Sequence, residues 1–241
     1  MCGRYVVPGE DAIEEYWATS FRCGGGRFLP RHNVAPTTQV PMVVRAPDGP
    51  RELRMARWGL IPDWWKKDKP PALSFNARAE EVEQKPMWKT AYRTRRCLMP
   101  AQGWYEWNEN EPVVGASGRK TNQPYYISCP REKCVAFAGL WSLWEGAGAG
   151  EEPILSCALL PKAAAPGIAH IHPRMPVVLR PEDAGAWLDP VTPVSECIRL
   201  VAEARQDMEG YPVSSRVNHV REDDPALMEK VRITNRQLEL L

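Results

Sequence analysis

Cysteine stands at position 2, directly after the initiator methionine. A small residue there ordinarily permits removal of Met1, which leaves Cys2 with a free α-amine beside its thiol. In such a 1,2-aminothiol the amine has an unperturbed pKa of about 7.7–8.0 and the thiol one of about 8.5, so both are partly deprotonated near neutrality. An aldehyde condenses with the amine to a Schiff base, and the neighbouring sulfur then closes a five-membered thiazolidine. Both nucleophiles sit on one residue, so closure is intramolecular and strongly favoured. The alternative is a small residue tolerated under an N-terminal tail, and position alone favours that reading.

Three more positions carry groups suited to that chemistry. Asn76 and Arg78 lie two apart, so an extended segment turns both to one face. Glu106 sits within Trp104-Tyr105-Glu106-Trp107. On a strand it shares a face with Trp104, while Tyr105 and Trp107 share the other. A carboxyl among indoles loses hydration, which raises its pKa and fits it for general acid–base work. A surface or salt-bridged glutamate is the competing reading. The chain has four histidines. His172 precedes Pro173-Arg174-Met175-Pro176, a rigid turn that holds an imidazole near a guanidinium, and an imidazole titrates in the useful range. His170 and His172 lack an obvious third ligand, so neither a metal nor a cofactor is expected.

Two basic, aromatic clusters offer themselves to a polyanion. Lys85, Lys89, Arg93 and Arg96 recur along a helix candidate whose buried stripe is Met87, Trp88 and Ala91. Trp64-Trp65-Lys66-Lys67 places two indoles beside cations, a pattern on which single-stranded bases stack. Taken alone, either cluster more often marks a solvated face with core tryptophans; two of them in a neutral chain favour a polyanion modestly.

These groups need a scaffold. Strand candidates are Val40–Arg45 and Arg51–Met55, flanking the turn Pro47-Asp48-Gly49-Pro50, then Cys97–Ala101, Gly103–Trp107, Tyr125–Cys129, Val135–Trp141, Ile154–Leu160 and Pro176–Leu179. Helices are expected over Asp11–Trp17, from Pro86 onward, and over Ser195–Met208 with Ile198, Val201 and Ala202 as the apolar face. The segments 109–123 and 146–152 read as mobile loops, and Gly24-Gly25-Gly26, without the lysine of a phosphate loop, as a flexible turn. Strands joined mostly by loops predict one α+β domain over 1–241, with a β-barrel-like mixed sheet at its core and a few flanking helices.

Bulk properties narrow the classes. Lys and Arg total 31 against 30 Asp and Glu, so no global basic field exists and any DNA site must be a local patch. The 24 prolines and 10 tryptophans fit many short strands better than long helices. No apolar run suits a signal peptide or a membrane span. Seven cysteines without a secretory leader predict reduced thiols and a cytoplasmic protein.

The motifs MCGRY, RHNVAP, RWGLIPDWW, FNARAE, RCLMPAQGWYEW, FAGLW, IHPRMPVVL and YPVSSRVN occur in this order across nearly the whole chain. Together they resemble the SRAP family, SOS-response-associated peptidase-like proteins that process abasic sites. The resemblance implies a thiazolidine crosslink between Cys2 and the ring-opened aldehyde of an abasic site in single-stranded DNA. It implies that Asn76 lies by the cysteine, that Glu106 is the acid–base group, and that His172 assists Schiff-base chemistry and reversal. Arg4, Arg78 and Arg174 correspond to arginines directed at phosphates, and Trp107 and Pro36 to positions near displaced bases. It further implies lyase-type chemistry, self-cleavage exposing Cys2, a monomer, nucleoid association in a bacterium, and replication-fork proteins as partners. Pro173 departs from the family pattern, where aspartate is common, and the segment from Glu109 to Gln123 is longer than usual. Rival functions are an N-terminal-nucleophile amidohydrolase, which also begins Met-Cys-Gly, a peptidase, and a noncovalent single-stranded DNA-binding module.

Overall fold

The computed structural model describes residues 2–17, 20–21, 28–46, 49–72, 74–114, 118, 120–146 and 152–232. In chain order the elements are β1 (Tyr5–Val7), α1 (Glu10–Trp17), β2 (Ser20–Phe21), β3 (Arg31–Val34), β4 (Gln39–Arg45), β5 (Arg51–Trp58), α2 (Pro86–Thr94), β6 (Arg96–Ala101) and β7 (Gly103–Val114). There follow β8 (Lys120–Ser128), β9 (Val135–Trp144), β10 (Ile154–Leu159), β11 (Pro161–Ala163), β12 (Arg174–Pro176), β13 (Val178–Leu179), α3 (Ala184–Leu188), α4 (Val194–Ala202) and β14 (Glu209–Pro212).

Strands β10, β5, β4, β6 and β9 pair in succession, and β9 pairs back onto β10, so this sheet closes into a ring. A second sheet runs β14-β8-β7-β1-β3. The α+β class read from strand density therefore holds, with a ring-like sheet at the centre. Neighbouring residues on the strands serve different cores. On β6, Cys97, Met99 and Ala101 join the core that contains Cys2, whereas Leu98 joins the core under the helices. On β1, Tyr5 and Val7 enter that first core and Val6 a third one, formed against the C-terminal turns. Strands buried on both faces read as continuous apolar runs.

The expected hairpin forms, with Arg45 opposite Arg51, although Pro47 and Asp48 lie outside the described residues. Helix α2 opens with Pro86 at its first turn, where the missing N–H costs nothing, and it buries Trp88, Ala91 and Tyr92. Met87 is only partly covered.

Several expectations need correction. The segment 109–123 is largely strand: β7 continues to Val114, β8 begins at Lys120, and Pro112 pairs with Asn122 beyond a bulge after Asn108. Residues 115–117 and 119 at its tip, residues 147–151 of the second loop, and Gly24-Gly25-Gly26 lie outside the described residues. Helix α4 ends at Ala202, because beyond it Ala204 is buried and the Arg205 N–H is drawn to Val178 O at 2.9 Å. It buries Cys197 and Leu200, leaving Ile198 exposed, since two apolar stripes competed and the one facing α3 prevailed. Among the described residues, six cysteines are buried and none is in a disulfide. No helix among them is long and apolar enough to cross a membrane.

Strand β1 lies antiparallel to β7, with Tyr5 opposite Trp104 and Val6 opposite Gly103. A Cβ on Gly103 would lie 2.5 Å from Ile127 O and from the Tyr126 hydroxyl. Gly103→Ala therefore must push β7 away from β8, and we expect a loss of about 1–3 kcal/mol in urea unfolding. An unchanged midpoint would show that this close approach carries no energy.

Candidate active site

Continuing the β1–β7 register sets Gly3 across from Glu106, with Cys2 one residue beyond. A backbone bond from Tyr105 N to Arg4 O, 3.0 Å, supports that alignment. Cys2 and Glu106 are each about 1% exposed and share a hydrogen bond between thiol and carboxyl. Burial raises the thiol pKa well above its usual value, and the Glu106 charge pushes it further. Burial also raises the Glu106 pKa, opposed by His172 and by the thiol hydrogen bond. Both groups thus hold protons more tightly than in water.

Asn76 belongs to an extended run bridging Leu159, with Ala77 and Ala79 donating to Leu159 O and Pro161 O. Its Nδ2 donates to Cys2 O at 3.0 Å, which fixes the peptide plane beside the thiol. Trp58 anchors the same run: its Nε1 donates to Phe75 O at 3.0 Å, and its ring meets Tyr5 edge-on at 5.1 Å. His172 lies in the turn before β12, with Nε2 3.8 Å from Glu106 Oε2. Its Nδ1 is 3.1 Å from both the N–H and the carbonyl of Arg174. Bare, it accepts from the first; protonated, it donates to the second. The ring is served in either state.

A thiol, a carboxyl whose pKa burial raises and an imidazole thus meet at one point, held by an amide. The family model for SOS response associated peptidase (SRAP) matches residues 1–220. The chain belongs to the SRAP family. It is 33% identical over 236 residues to the abasic site processing protein YoqW of Bacillus subtilis, covering 95% of this chain and 99% of that one. It is 29% identical over 239 residues to the abasic site processing protein HMCES of Gallus gallus, covering 86% of this chain and 68% of that one. A crystal structure of a protein from Bacteroides thetaiotaomicron superimposes with a TM-score of 0.71 at 22% identity, over 83% of this chain and 85% of that one. A phage-related protein from Bordetella bronchiseptica gives a TM-score of 0.64 at 30% identity, over 88% and 94%.

The remaining residues singled out in this SRAP chain are placed less uniformly. Arg4 is half-buried, and its Nη1 donates to Asn33 Oδ1 at 2.8 Å and Val217 O at 2.7 Å. Arg78 is exposed, 3.6 Å from Glu81. Arg174 grips Glu80 through two hydrogen bonds of 2.7 and 2.8 Å. Trp107 donates its indole N–H to Asn218 Oδ1 at 2.7 Å. Pro36 is half-buried in the turn after β3, next to Thr37, which holds a positive φ of 73°. Trp64 is exposed, while Trp65 donates to Lys69 O and stacks under Lys67.

The basic helix face does not assemble. Lys85 pairs with Glu81, Arg93 with Glu83 at 3.1 Å, and Arg96 is buried in β6. The Arg96 guanidinium instead donates to the carbonyls of Tyr92, Arg93, Trp187 and Asp189. It caps the end of α2 and ties that end to α3, a long-range use that charge spacing cannot reveal.

Two supporting residues escaped the sequence reading. Asn33 Nδ2 faces the carbonyls of Val217, His219 and Glu222 at 2.9–3.2 Å, pinning the C-terminal turns to β3. Asn218 orients Trp107 and also donates to Thr121. Both lie inside quoted motifs, RHNVAP and YPVSSRVN, yet their partners are far away in sequence.

A raised carboxyl pKa has a consequence for stability. The folded protein binds a proton at Glu106 more tightly than the unfolded chain, so this group's contribution is fully present below its unfolded pKa. That contribution is lost as pH rises through the raised value. Glu106→Gln removes the term, so thermal unfolding should show the variant gaining on the parent between acidic and neutral pH. A difference in Tm that stays constant across that range would contradict the buried-acid assignment.

Proposed function

We propose that this protein processes abasic sites by capturing the ring-opened sugar of single-stranded DNA on Cys2, once Met1 has been removed. The observation that carries the reading is the contact of the Cys2 thiol with a buried Glu106 whose pKa is raised, itself 3.8 Å from His172. Names of the relatives supply the substrate class: YoqW and HMCES are both called abasic site processing proteins.

The steps balance as follows. The freed Cys2 amine adds to the C1′ aldehyde, giving a carbinolamine. Glu106 gives a proton to the departing hydroxyl, and one water leaves with formation of the protonated imine. The thiol then adds across the carbon–nitrogen double bond, its proton returning to the carboxylate, and the thiazolidine nitrogen keeps one hydrogen. The net change is loss of one water. A thiol with a raised pKa is a poor nucleophile unaided, so proton transfer to Glu106 must accompany the attack. His172, with 13% of its side chain exposed against 2% for Glu106, relays protons between carboxyl and solvent. Asn76 holds the Cys2 carbonyl so that both nucleophiles project toward the same space.

Ring closure consumes the imine, which would otherwise support β-elimination and strand cleavage; the crosslink therefore shields the lesion, with lyase chemistry as the branch taken when the thiol is absent. Exposure of Cys2 by the protein's own peptidase action is the maturation step in this scheme. Arg4, Arg78 and Arg174 take phosphates, and Trp107, Pro36, Trp64 and Trp65 meet unstacked bases.

Mixing the processed protein with an abasic single-stranded oligonucleotide should give a band resistant to denaturing electrophoresis, with the mass of both components minus one water. Cys2→Ala should abolish it. A persistent adduct in that variant, or none with the parent, would end the proposal. Glu106→Gln should slow adduct formation by about 10²–10⁴-fold in a single-turnover time course. A change under threefold would remove Glu106 from the chemistry.

A further inference from the structure

The Arg174 guanidinium is already occupied. Two of its nitrogens meet the two carboxylate oxygens of Glu80 at 2.7 and 2.8 Å, a fork-on-fork geometry that a phosphate presents equally well. The arginine is otherwise well anchored: Nη2 also donates to Pro161 O at 2.8 Å, and its backbone N–H reaches His172 Nδ1 at 3.1 Å. Its partner is not: the Glu80 side chain is 51% exposed against 21% for Arg174. The firmly held member of this pair is therefore the cation and the releasable one is the anion. One residue on, Glu81 stands near Arg78 and also pairs with Lys85. Two of the three arginines assigned to phosphates are thus faced by acids of the same turn, in a chain whose net charge is only +1.

We propose that Glu80 is a built-in phosphate surrogate: it holds the Arg174 fork in its binding geometry while no DNA is present, and a backbone phosphate displaces it. This rests on the DNA-binding part of the function proposed above. The arrangement sets specificity. A small aldehyde or an isolated anion gains little by expelling a tethered carboxylate, whereas a strand offering several phosphates and bases at once gains enough. The arginine meanwhile stays oriented, and because its peptide partners His172, the phosphate grip adjoins the reacting groups.

The test uses noncovalent binding of the whole protein to an intact single-stranded oligonucleotide, measured by fluorescence anisotropy across a salt series. Glu80→Gln keeps the size of the side chain and removes its charge. It should tighten binding by roughly two- to tenfold at low salt, as expected for release of a half-exposed ion pair. It should also steepen the dependence of affinity on salt, because no freed carboxylate then draws back a cation. Glu80→Asp, which keeps the charge but shortens its reach, should shift affinity the same way by less. In an Arg174→Ala background the Gln substitution should have no effect. Unchanged or weaker binding by Glu80→Gln, or an equal gain without Arg174, would overturn the proposal and mark Glu80 as a strut. Intact DNA keeps this result separate from crosslinking: a tighter Glu80→Gln variant with no adduct on abasic DNA would sink the covalent reading alone.

Discussion

The antiparallel register between β1 and β7 is the constraint on which the site depends. Tyr5 faces Trp104 and Val6 faces Gly103, so the chain start runs back along the strand bearing Glu106. A one-residue slip would turn Glu106 toward the C-terminal turns and Tyr105 toward the thiol, because side chains alternate across a strand. That slip is barred from both sides. Tyr5 and Trp104 belong to the core around the ring sheet, while Val6 and Tyr105 belong to the core beneath the C-terminal segment. Exchanging them would take the Tyr105 hydroxyl away from its own acceptor. The Tyr105 hydroxyl is itself spoken for, donating to His32 O at 2.9 Å.

Burial then sets the chemistry. The same dry surroundings that hold the register deprive Cys2 and Glu106 of water and raise both pKa values. A carboxyl in this state is unfavourable for the folded protein near neutrality yet well matched to passing a proton back and forth. Aromatic packing makes it affordable. Trp58 lies against Tyr5 and Phe75, the latter ring centred 5.8 Å away, and so ties the two short segments that carry Cys2 and Asn76. Farther out the surface is a web of arginine–carboxylate pairs, which fits a chain without a basic field.

Legibility in the sequence followed the range of the interactions. Strands β4, β6 and β8 to β10 are readable because each buries a short apolar run, β5 because a turn signal sets it against β4, and α2 because proline marks its first turn. The central strand β7 reads as ending at Trp107, since Asn108-Glu109-Asn110-Glu111-Pro112 looks like loop; only pairing with β8 keeps it extended. The face of α4 is not legible because Cys197–Leu200 and Ile198–Val201 are equally apolar at helical spacing. Charge at period 3.6 looks the same whether it meets solvent, phosphate or, as for Arg96, four carbonyls of neighbouring elements.

What the amino-acid order determined by itself was chemical: a cysteine at position 2, a carboxyl between indoles, an imidazole beside prolines, and a motif order that marks the SRAP family. Local rules of pleat and helix start then supplied the α+β class. Only the tertiary structure decided that Cys2, Asn76, Glu106 and His172 share one small volume, that Arg174 is held by Glu80, and that Asn33 and Asn218 brace the site. Those facts depend on pairings between segments some seventy to two hundred residues apart, such as Cys2 with Asn76 and Arg4 with Val217. The energy of such a contact arises from closing the whole chain around a common core, and no local window of sequence contains both partners.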